Sequence, residues 1–364
     1  MKLLPAIVGL VIYLTVLTAA VAQDASGERL VSYHLRWQVG TSRAQQPAWN
    51  ENAAGTSTGV VRFVAVHPRQ PVAAVVFESS TDVHIINTLD GSTQQVLRTH
   101  ARVAPSDLSD IAWNMENRTL TVAFDPILEI WNLDHRPPVI TTVAENGRAP
   151  DVTWVPGDRR LSVAWGNDDQ RALLLIEPET GEVLERTQID GLMQQRWHPN
   201  GQHLAVYRYV DPSGQEETPI ITSLLQVLDG EILAKTDTLV FDTMTPRPSF
   251  DWLPNGIELL GIACHEAVDG CAFWRWQPGL QTVTYVDSHL PEGTLGSSPI
   301  AIDAAGSRVA IGAAGLPQVF ILRPDTLDLL LTIDDLAMPP SFVAWDNHDT
   351  LYVSDGTLKA FEIR

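Results

Sequence analysis

The sequence predicts an all-β chain folded as a seven-bladed β-propeller of four-stranded antiparallel blades. Three observations predict it: a phrase that recurs seven times, short strands bounded by turn residues, and a last repeat that lacks one strand. The recurring phrase is a pair of apolar residues, an anchor residue and then a turn. Its anchors are Val66, Trp113, Trp154, Trp197, Trp252, Ile302 and Trp345. They lie 41 to 55 residues apart, which is the period of a propeller blade rather than of a helical repeat.

Short strands follow one another within each repeat as they do in a four-stranded blade. The second repeat shows this order over residues 111–113, 120–124, 128–133 and 139–143. Gly, Pro, Asn or Asp bounds each strand. The second and third strands are nearly continuous in apolar residues, as expected when neighbouring blades cover both faces of a sheet. The seven blades are therefore predicted to run from about residue 60 to residue 364.

The last repeat supplies only three strands before the sequence ends, over residues 342–345, 350–353 and 358–363. Far upstream, Val31, Tyr33, Leu35 and Trp37 alternate with polar residues, which is the period of a strand. We predict that this strand, over about residues 29–38, closes the seventh blade and removes the open sheet edges. The polar segment over about residues 40–59 is predicted to be a flexible surface loop.

The N-terminal segment predicts export. An uncharged stretch reaches Leu17, and Ala20 and Ala22 form the small-x-small pattern of a signal-peptide cleavage site. Residues 1–22 are therefore interpreted as a signal peptide and residues 23–364 as a single propeller, secreted or periplasmic. The alternative is an uncleaved membrane anchor, because residues 3–22 are just long enough to cross a bilayer.

The composition disfavours polyanionic partners. The chain has 24 Lys and Arg against 44 Asp and Glu, a net charge of −20. A field of that sign repels nucleic acid and anionic lipid, and no basic cluster reverses it locally. We expect an acidic protein that is soluble after export, with no membrane span beyond the signal segment, and a monomer.

Cys264 and Cys271 are separated by six residues, at the expected turn between the second and third strands of blade five. A metal site would need more ligands, and a redox pair would normally have two intervening residues. A disulfide across a β-hairpin fits better and is consistent with an oxidising compartment.

Several of these segments resemble a known family of repeats. They are the Trp-x-Pro-Asn-Gly turns at residues 197–201 and 252–256, together with residues 128–134 and 176–183. In them the chain resembles the bacterial WD40-like and YVTN-like propeller repeats over essentially all of the mature sequence. The resemblance implies a protein- or ligand-binding platform. Its partner sites would lie on the ring face formed by the fourth-to-first and second-to-third strand loops.

Two charged residues interrupt the innermost strands, which are expected to line the channel. The residue before each anchor is small in five blades but is Arg196 in blade four and Asp251 in blade five. We predict an ion pair across that blade interface, with ligand binding as the alternative role.

Polar residues also precede four anchors by three positions. They are Asp110, Asp151, Gln194 and Ser249, and we expect them near the channel mouth. Carboxylates there suit a bound cation or amine, whereas capping of loop amides is the commoner use. Arg247, in the connection between blades four and five, is a further candidate contact.

No assembled catalytic motif is present in the sequence. It has no His-x-His, no His-Glu-x-x-His and no Gly-x-Ser-x-Gly. We therefore assign no catalytic residue, metal ligand or cofactor, and favour a non-catalytic extracytoplasmic binding platform. The alternative is a propeller hydrolase or lactonase with an acidic or metal site at the channel mouth. Convergence of Asp110, Asp151 and Asp251 around one cation would favour that enzyme.

Overall fold

The protein forms seven antiparallel sheets of four strands each, arranged in a ring. The structure is a computed structural model. It describes residues 32–40, 59–100, 103–145, 147–167, 170–210, 222–230, 233–241, 249–265, 270–280, 282–286, 290–291, 294–296 and 298–364. The predicted signal segment, most of the predicted loop over residues 40–59, and Arg247 lie outside these ranges. Within them, no helix has the length and apolar character that a membrane span requires.

The closing strand and the first three blades come first along the chain. The closing strand, β1, spans Tyr33–Val39. Blade one consists of β2 to β5, which span Val61–Val66, Val72–Phe77, Val83–Asn87 and Thr93–Leu97. Blade two consists of β6 to β9, which span Leu108–Trp113, Thr119–Phe124, Ile127–Asn132 and Val139–Ala144. Blade three consists of β10 to β13, which span Arg148–Trp154, Leu161–Asn167, Gln170–Ile176 and Val183–Gln188.

The remaining four blades repeat this order. Blade four consists of β14 to β17, which span Leu192–Trp197, His203–Val210, Thr222–Asp229 and Lys235–Phe241. Blade five consists of β18 to β21, which span Ser249–Trp252, Leu259–His265, Gly270–Trp276 and Thr284–Val286. Blade six consists of β22 to β25, which span Ile300–Ile302, Val309–Gly312, Val319–Leu322 and Leu329–Ile333. Blade seven contains β26 to β28, which span Phe342–Trp345, Thr350–Ser354 and Leu358–Ile363.

The innermost strands form the wall of the channel. Each contacts the innermost strand of the next blade, and β26 contacts β2, so the ring is closed. All seven predicted anchors are the last residues of these innermost strands. The prediction of a seven-bladed propeller is therefore confirmed.

The hydrophobic core is divided among the interfaces between blades. Seven clusters of buried side chains are found in the described residues, each spanning two neighbouring blades. The second strands are largely buried, and every residue of β3 and β7 is buried. The outermost strands alternate in exposure, as in β13, because only one of their faces meets a neighbouring blade. The apolar runs in the sequence thus mark the strands that are covered on both sides.

Tryptophan anchors also tie the blades together with hydrogen bonds. The indole Nε1–H of Trp113 donates to the backbone oxygen of Ala65, at 3.0 Å. The same bond joins each of three later anchors to the residue before the preceding anchor: Trp154 to Ala112 at 3.2 Å, Trp252 to Arg196 at 3.0 Å, and Trp345 to Ala301 at 3.3 Å. At these four interfaces the anchor therefore supplies a hydrogen bond between blades as well as an apolar contact, whereas the indole Nε1–H of Trp197 is buried without a partner among the described residues.

Histidines fix two of the blade interfaces at the turns that follow the anchors. His67 and His198 each follow an anchor directly, and the Nε2 atom of each approaches a backbone oxygen of the next blade, Asn117 at 3.1 Å and Gly256 at 2.6 Å. Nδ1 of each ring accepts a backbone amide of its own turn. Nε2 must therefore carry the proton and donate across the interface. Burial lowers the pKa of His67, which favours this neutral form.

The closing strand is confirmed as well. β1 pairs antiparallel with β28 from Tyr33 opposite Ile363 to Val39 opposite Leu358, with an irregularity between Leu35 and Trp37. The pairing extends beyond the strand, because Ser32 and Arg364 exchange both backbone hydrogen bonds. β1 thus supplies the fourth strand of blade seven, although it ends one residue later than predicted.

Trp37 joins this closed blade to blade one. Its indole Nε1–H donates to the backbone oxygen of Thr88 at 2.8 Å, and its ring packs on Gly91. A methyl group at Gly91 would lie 3.0 Å from the ring, and the backbone there has φ +75. Glycine is therefore favoured both by the close contact and by the backbone conformation. One side chain therefore both fills and bonds the interface at which the two ends of the chain meet.

We expect Trp37→Ala to destabilise the fold by about 3 to 5 kcal/mol, because it leaves a cavity and removes a buried hydrogen bond. Chemical denaturation would measure the loss. Val139→Ala is the control, since Val139 is exposed on an outermost strand and should cost less than about 0.5 kcal/mol. Equal effects of the two substitutions would contradict the role assigned to the closing strand.

Candidate functional site

A cavity of about 750 Å³ lies at one mouth of the channel, and every blade contributes to its wall. The wall includes fourth-to-first connections, as at Asp107, and second-to-third hairpins, as at Asp125. This is the face on which the family resemblance places partner sites. A cavity of this size is in the range of small-molecule sites.

The candidate residues from the sequence are distributed along the channel. Asp151 and Gln194 line the cavity itself. Asp110 occupies the same strand position as Asp151, one blade earlier, and the charge of Asp151 acts on its carboxyl group. Arg196 and Asp251 lie two residues further along their strands, towards the opposite mouth. The structure therefore brings Asp110, Asp151, Arg196 and Asp251 into one group.

Asp110 joins blades two and three. Its Oδ1 accepts the backbone amide of Ile111 and its Oδ2 accepts that of Val152, both at 2.8 Å. Burial, and then the charge of Asp151, raise the pKa of the Asp110 carboxyl well above its usual range. The two amides and the Arg196 guanidinium oppose this rise without cancelling it.

Asp151 joins blades three and four in the same way. Its Oδ2 accepts the backbone amide of Gln195 at 2.6 Å. Burial raises the pKa of this carboxyl too, against the opposing effects of Arg196, the Gln195 amide and the Asp110 carboxyl. Two interacting carboxyl groups whose pKa values are both raised by burial retain a proton between them as the pH approaches neutrality.

Arg196 is the cation nearest to these carboxylates. Its Nη1 lies 3.8 Å from Oδ1 of Asp151, and its charge lowers the pKa values of Asp110, Asp151 and Asp251. This contact joins Arg196 to blade three, and it comes in addition to the interaction with Asp251 of blade five that the sequence suggested. Asp251 is influenced by the same guanidinium, but burial keeps its pKa raised, and its Oδ1 accepts the amide of Trp252.

Gln195 is a buried residue that the sequence analysis missed. Its Nε2–H donates to the backbone oxygens of Asp151 and Ser162, at 3.0 and 3.2 Å, and its Oε1 accepts the Ser162 hydroxyl at 2.5 Å. On β14 the side chains of Gln194 and Arg196 lie on one face of the strand, and that of Gln195 lies on the other, covered face. A polar residue at a covered position of an innermost strand was therefore the sequence signal that could have identified it. Its bonds fix the interface between blades three and four beside the carboxyl pair.

Three arginines stand around the cavity, and the sequence analysis did not identify them as a group. Arg62 of blade one reaches the start of blade two, where its guanidinium donates to the backbone oxygens of Pro105 and Leu108, at 2.5 and 3.1 Å. Arg148 pairs with Asp125 at 2.5 Å, and Arg171 donates to the backbone oxygen of Leu192 at 2.6 Å. All three cross from one blade to another, which is why their proximity is invisible in the sequence.

The remaining site predictions concern cysteines and metal ligands. The sulfur atoms of Cys264 and Cys271 lie at disulfide-bond distance, on directly opposed residues of β19 and β20. In the described ranges, no three His, Cys, Asp or Glu side chains are grouped as metal ligands. The cation around which the three aspartates gather is the Arg196 guanidinium.

Comparisons with known proteins support the fold alone. No protein-family model matches the chain, and no curated protein matches it. Among solved structures, the β-propeller domain of Cps50 (Swd1) from Myceliophteria thermophila is 13% identical, with a TM-score of 0.63 over 86% of this chain and 99% of that chain. Hydrazine synthase from Kuenenia stuttgartiensis is 13% identical, with a TM-score of 0.68 over 86% of this chain and 98% of that chain.

The shared proton makes stability depend on pH in a defined direction. Since the folded-state pKa values of Asp110 and Asp151 are raised, their contribution to stability is full below the ordinary aspartate value of 3.8 and is lost as pH rises through the folded values. Asp151→Asn mimics the protonated pair, because the amide retains an oxygen for Gln195 and can donate to Asp110.

As the pH rises from about 5 to about 9, the parent protein loses stability that Asp151→Asn keeps. We therefore expect the unfolding free energy of Asp151→Asn to rise by about 1 to 2 kcal/mol relative to that of the parent protein. Denaturation at a series of pH values would measure this. Glu182→Gln, at an exposed turn, should follow the parent at every pH. Parallel curves for the parent and Asp151→Asn would contradict a shared proton.

Removal of the shared cation should have the opposite pH dependence. We expect Arg196→Gln to cost roughly 2 to 3 kcal/mol near pH 8, where the carboxylates are ionised, and less near pH 5, where they take up protons. Arg186→Gln, which removes an exposed ion pair with Glu145, should cost less than about 1 kcal/mol at both pH values. A loss for Arg196→Gln that does not change with pH would mean that the guanidinium does not serve the three carboxylates.

Proposed function

We propose that this protein is a non-catalytic, extracytoplasmic propeller that binds its ligand in the cavity at the channel mouth. The observation that carries the proposal is that all seven blades contribute to one cavity of about 750 Å³. Strand ends and short connections form its wall, and the interfaces beneath it are bonded from blade to blade. A wall of this kind is largely formed before the ligand arrives, which reduces the entropy lost on binding.

The buried carboxyl groups support a binding role over a catalytic one. Asp110 and Asp151 use their oxygens to accept backbone amides of the next blade, so their position is explained by the assembly of the ring. Convergence of the aspartates around one bound cation would favour a hydrolase or lactonase. The cation that lies beside Asp151 is instead the side chain of Arg196. No specific contact among the described residues favours the enzyme.

Three features support an extracytoplasmic location. The first is the signal-peptide pattern of residues 1–22. The second is the cysteine pair at bonding distance, since disulfides persist in oxidising compartments. The third is the net charge of −20, which suits a soluble exported protein. We also propose that the chain is related to the bacterial WD40-like and YVTN-like repeats. The short motifs in the sequence support this relationship.

A fragment screen with two matched variants would test the proposed cavity. Ser341 is exposed at the cavity wall, so Ser341→Trp should fill the mouth. Arg159 lies on a turn at the opposite face with its side chain 78% exposed, so Arg159→Trp is the control. We expect ligand-observed NMR to find fragments that bind the parent protein and Arg159→Trp but bind Ser341→Trp at least about tenfold more weakly. Fragments that bind all three proteins equally, or a screen without any hit, would contradict the proposal.

A further inference from the structure

Among the described residues, the charged groups that line the cavity lie on one side. Blades one to three contribute Arg62, Arg148 and Arg171, together with Asp107, Asp125 and Asp151. The described lining residues of blades five to seven are serines and prolines. The described wall thus has a charged half and an uncharged half, and the chemistry of a ligand can be inferred from the contacts that the charged groups make.

The three carboxylates of the charged half are all engaged within the protein. Asp107 is turned back to its own loop, where it accepts the Ala104 amide at 2.6 Å and the Ser106 hydroxyl at 3.2 Å. Asp125 forms its ion pair with Arg148. Asp151 accepts the Gln195 amide and faces the Asp110 carboxyl and Arg196. None of them is directed to a cationic ligand.

Arg62 differs from these groups because its partners are all neutral. Its Nη1 and Nη2 donate to the backbone oxygens of Pro105, Ser106 and Leu108, and it makes no ion pair with a described carboxylate. Nε takes part in none of these bonds. The guanidinium carbon lies 5.0 Å from the centre of the Phe63 ring, which further restricts the orientation of the group. Arg62 is therefore a positively charged hydrogen-bond donor whose orientation at the cavity wall is fixed.

Arg171 adds a second guanidinium to the same half of the cavity. The residue is 4% exposed, and Nη1 donates to the Leu192 backbone oxygen and contacts the Met193 sulfur at 2.9 Å. Its guanidinium is thus a second planar donor group in the wall to which Arg62 belongs. Planar guanidinium groups match carboxylates, since parallel N–H donors face both oxygens.

The opposite wall suits an apolar body. Pro299 and Pro340 line it, and both pack so closely on Gly312 that a methyl group there would lie 2.8 and 2.6 Å from their ring carbons. That contact fixes the two rings in place. A ligand that spans the cavity would therefore meet cationic donors on one side and two rigid pyrrolidine rings on the other.

We propose that the cavity binds an organic carboxylate, with its anionic group at Arg62 and its apolar part against Pro299 and Pro340. The inference rests on the proposed function and names the chemical class of its ligand. The net charge of −20 does not prevent this, because at physiological ionic strength charges more than about 8 Å away are largely screened. Specificity would come from groups in direct contact.

The test uses N-benzoylglycinate and its neutral analogue of the same shape, N-benzoylglycinamide. Each probe is titrated with the protein, and ligand-observed NMR measures its binding. We expect the carboxylate to bind at least about tenfold more tightly than the amide, since only the carboxylate forms charge-assisted hydrogen bonds. Arg62→Gln should weaken carboxylate binding by about tenfold and leave amide binding unchanged.

Two further variants complete the test. Arg69→Gln, in the same blade but paired with Glu116 on the opposite face, should bind like the parent protein. Arg62→Lys keeps the charge without the planar fork and should lose less affinity than Arg62→Gln, so it carries the test if Arg62→Gln does not fold.

The outcomes separate the inference from the proposed function. Equal binding of the two probes, or carboxylate binding that Arg62→Gln leaves unchanged, would overturn the inference, while binding that Ser341→Trp abolishes would still support the proposed cavity. Failure of both probes, together with an empty fragment screen, would overturn both.

Discussion

The antiparallel pairing of β1 with β28 is the constraint on which the rest of the ring depends. Each blade buries its two faces only because a neighbour stands on either side, and seven blades in a line would leave one face of each end blade exposed. The pairing brings the N-terminal strand into the last blade, and Trp37 then bonds that blade to Thr88 of blade one. Every other interface can be assembled from consecutive stretches of sequence, whereas this one needs both ends.

Once the ring is closed, the innermost strand carries two further links at fixed positions. The residue before an anchor offers its backbone oxygen to the tryptophan of the next blade, as Ala112 does to Trp154. The residue three positions before an anchor offers a carboxylate to an amide of the next blade, as Asp110 does to Val152. Blades two and three are therefore tied twice on one strand, near the mouth and further along the channel. The second link has a cost, because it places carboxyl groups where burial raises their pKa values.

The cavity at the channel mouth is a consequence of the same assembly. Its arginines lie where strand ends of different blades meet, and each is fixed by a group on a neighbouring blade, as Arg148 is by Asp125 and Arg171 by Leu192. The charged half of the wall is thus positioned by the interfaces that stabilise the fold. A ligand at this wall would meet groups whose orientation is already determined, which is the usual condition for selective binding.

The sequence by itself determined the number of blades, the residue at which each innermost strand ends, the closing strand and the cysteine pair. These features follow from local patterns in the sequence. The patterns are apolar alternation, turn residues and a repeat with the length of one blade. Only the tertiary structure decided that Arg196 approaches Asp151, that Gln195 is buried with Ser162, and that Arg62 and Arg171 share a cavity. Such contacts join residues from different blades, and the direction in which a side chain crosses an interface depends on the curvature and twist of the closed ring, which no local pattern specifies.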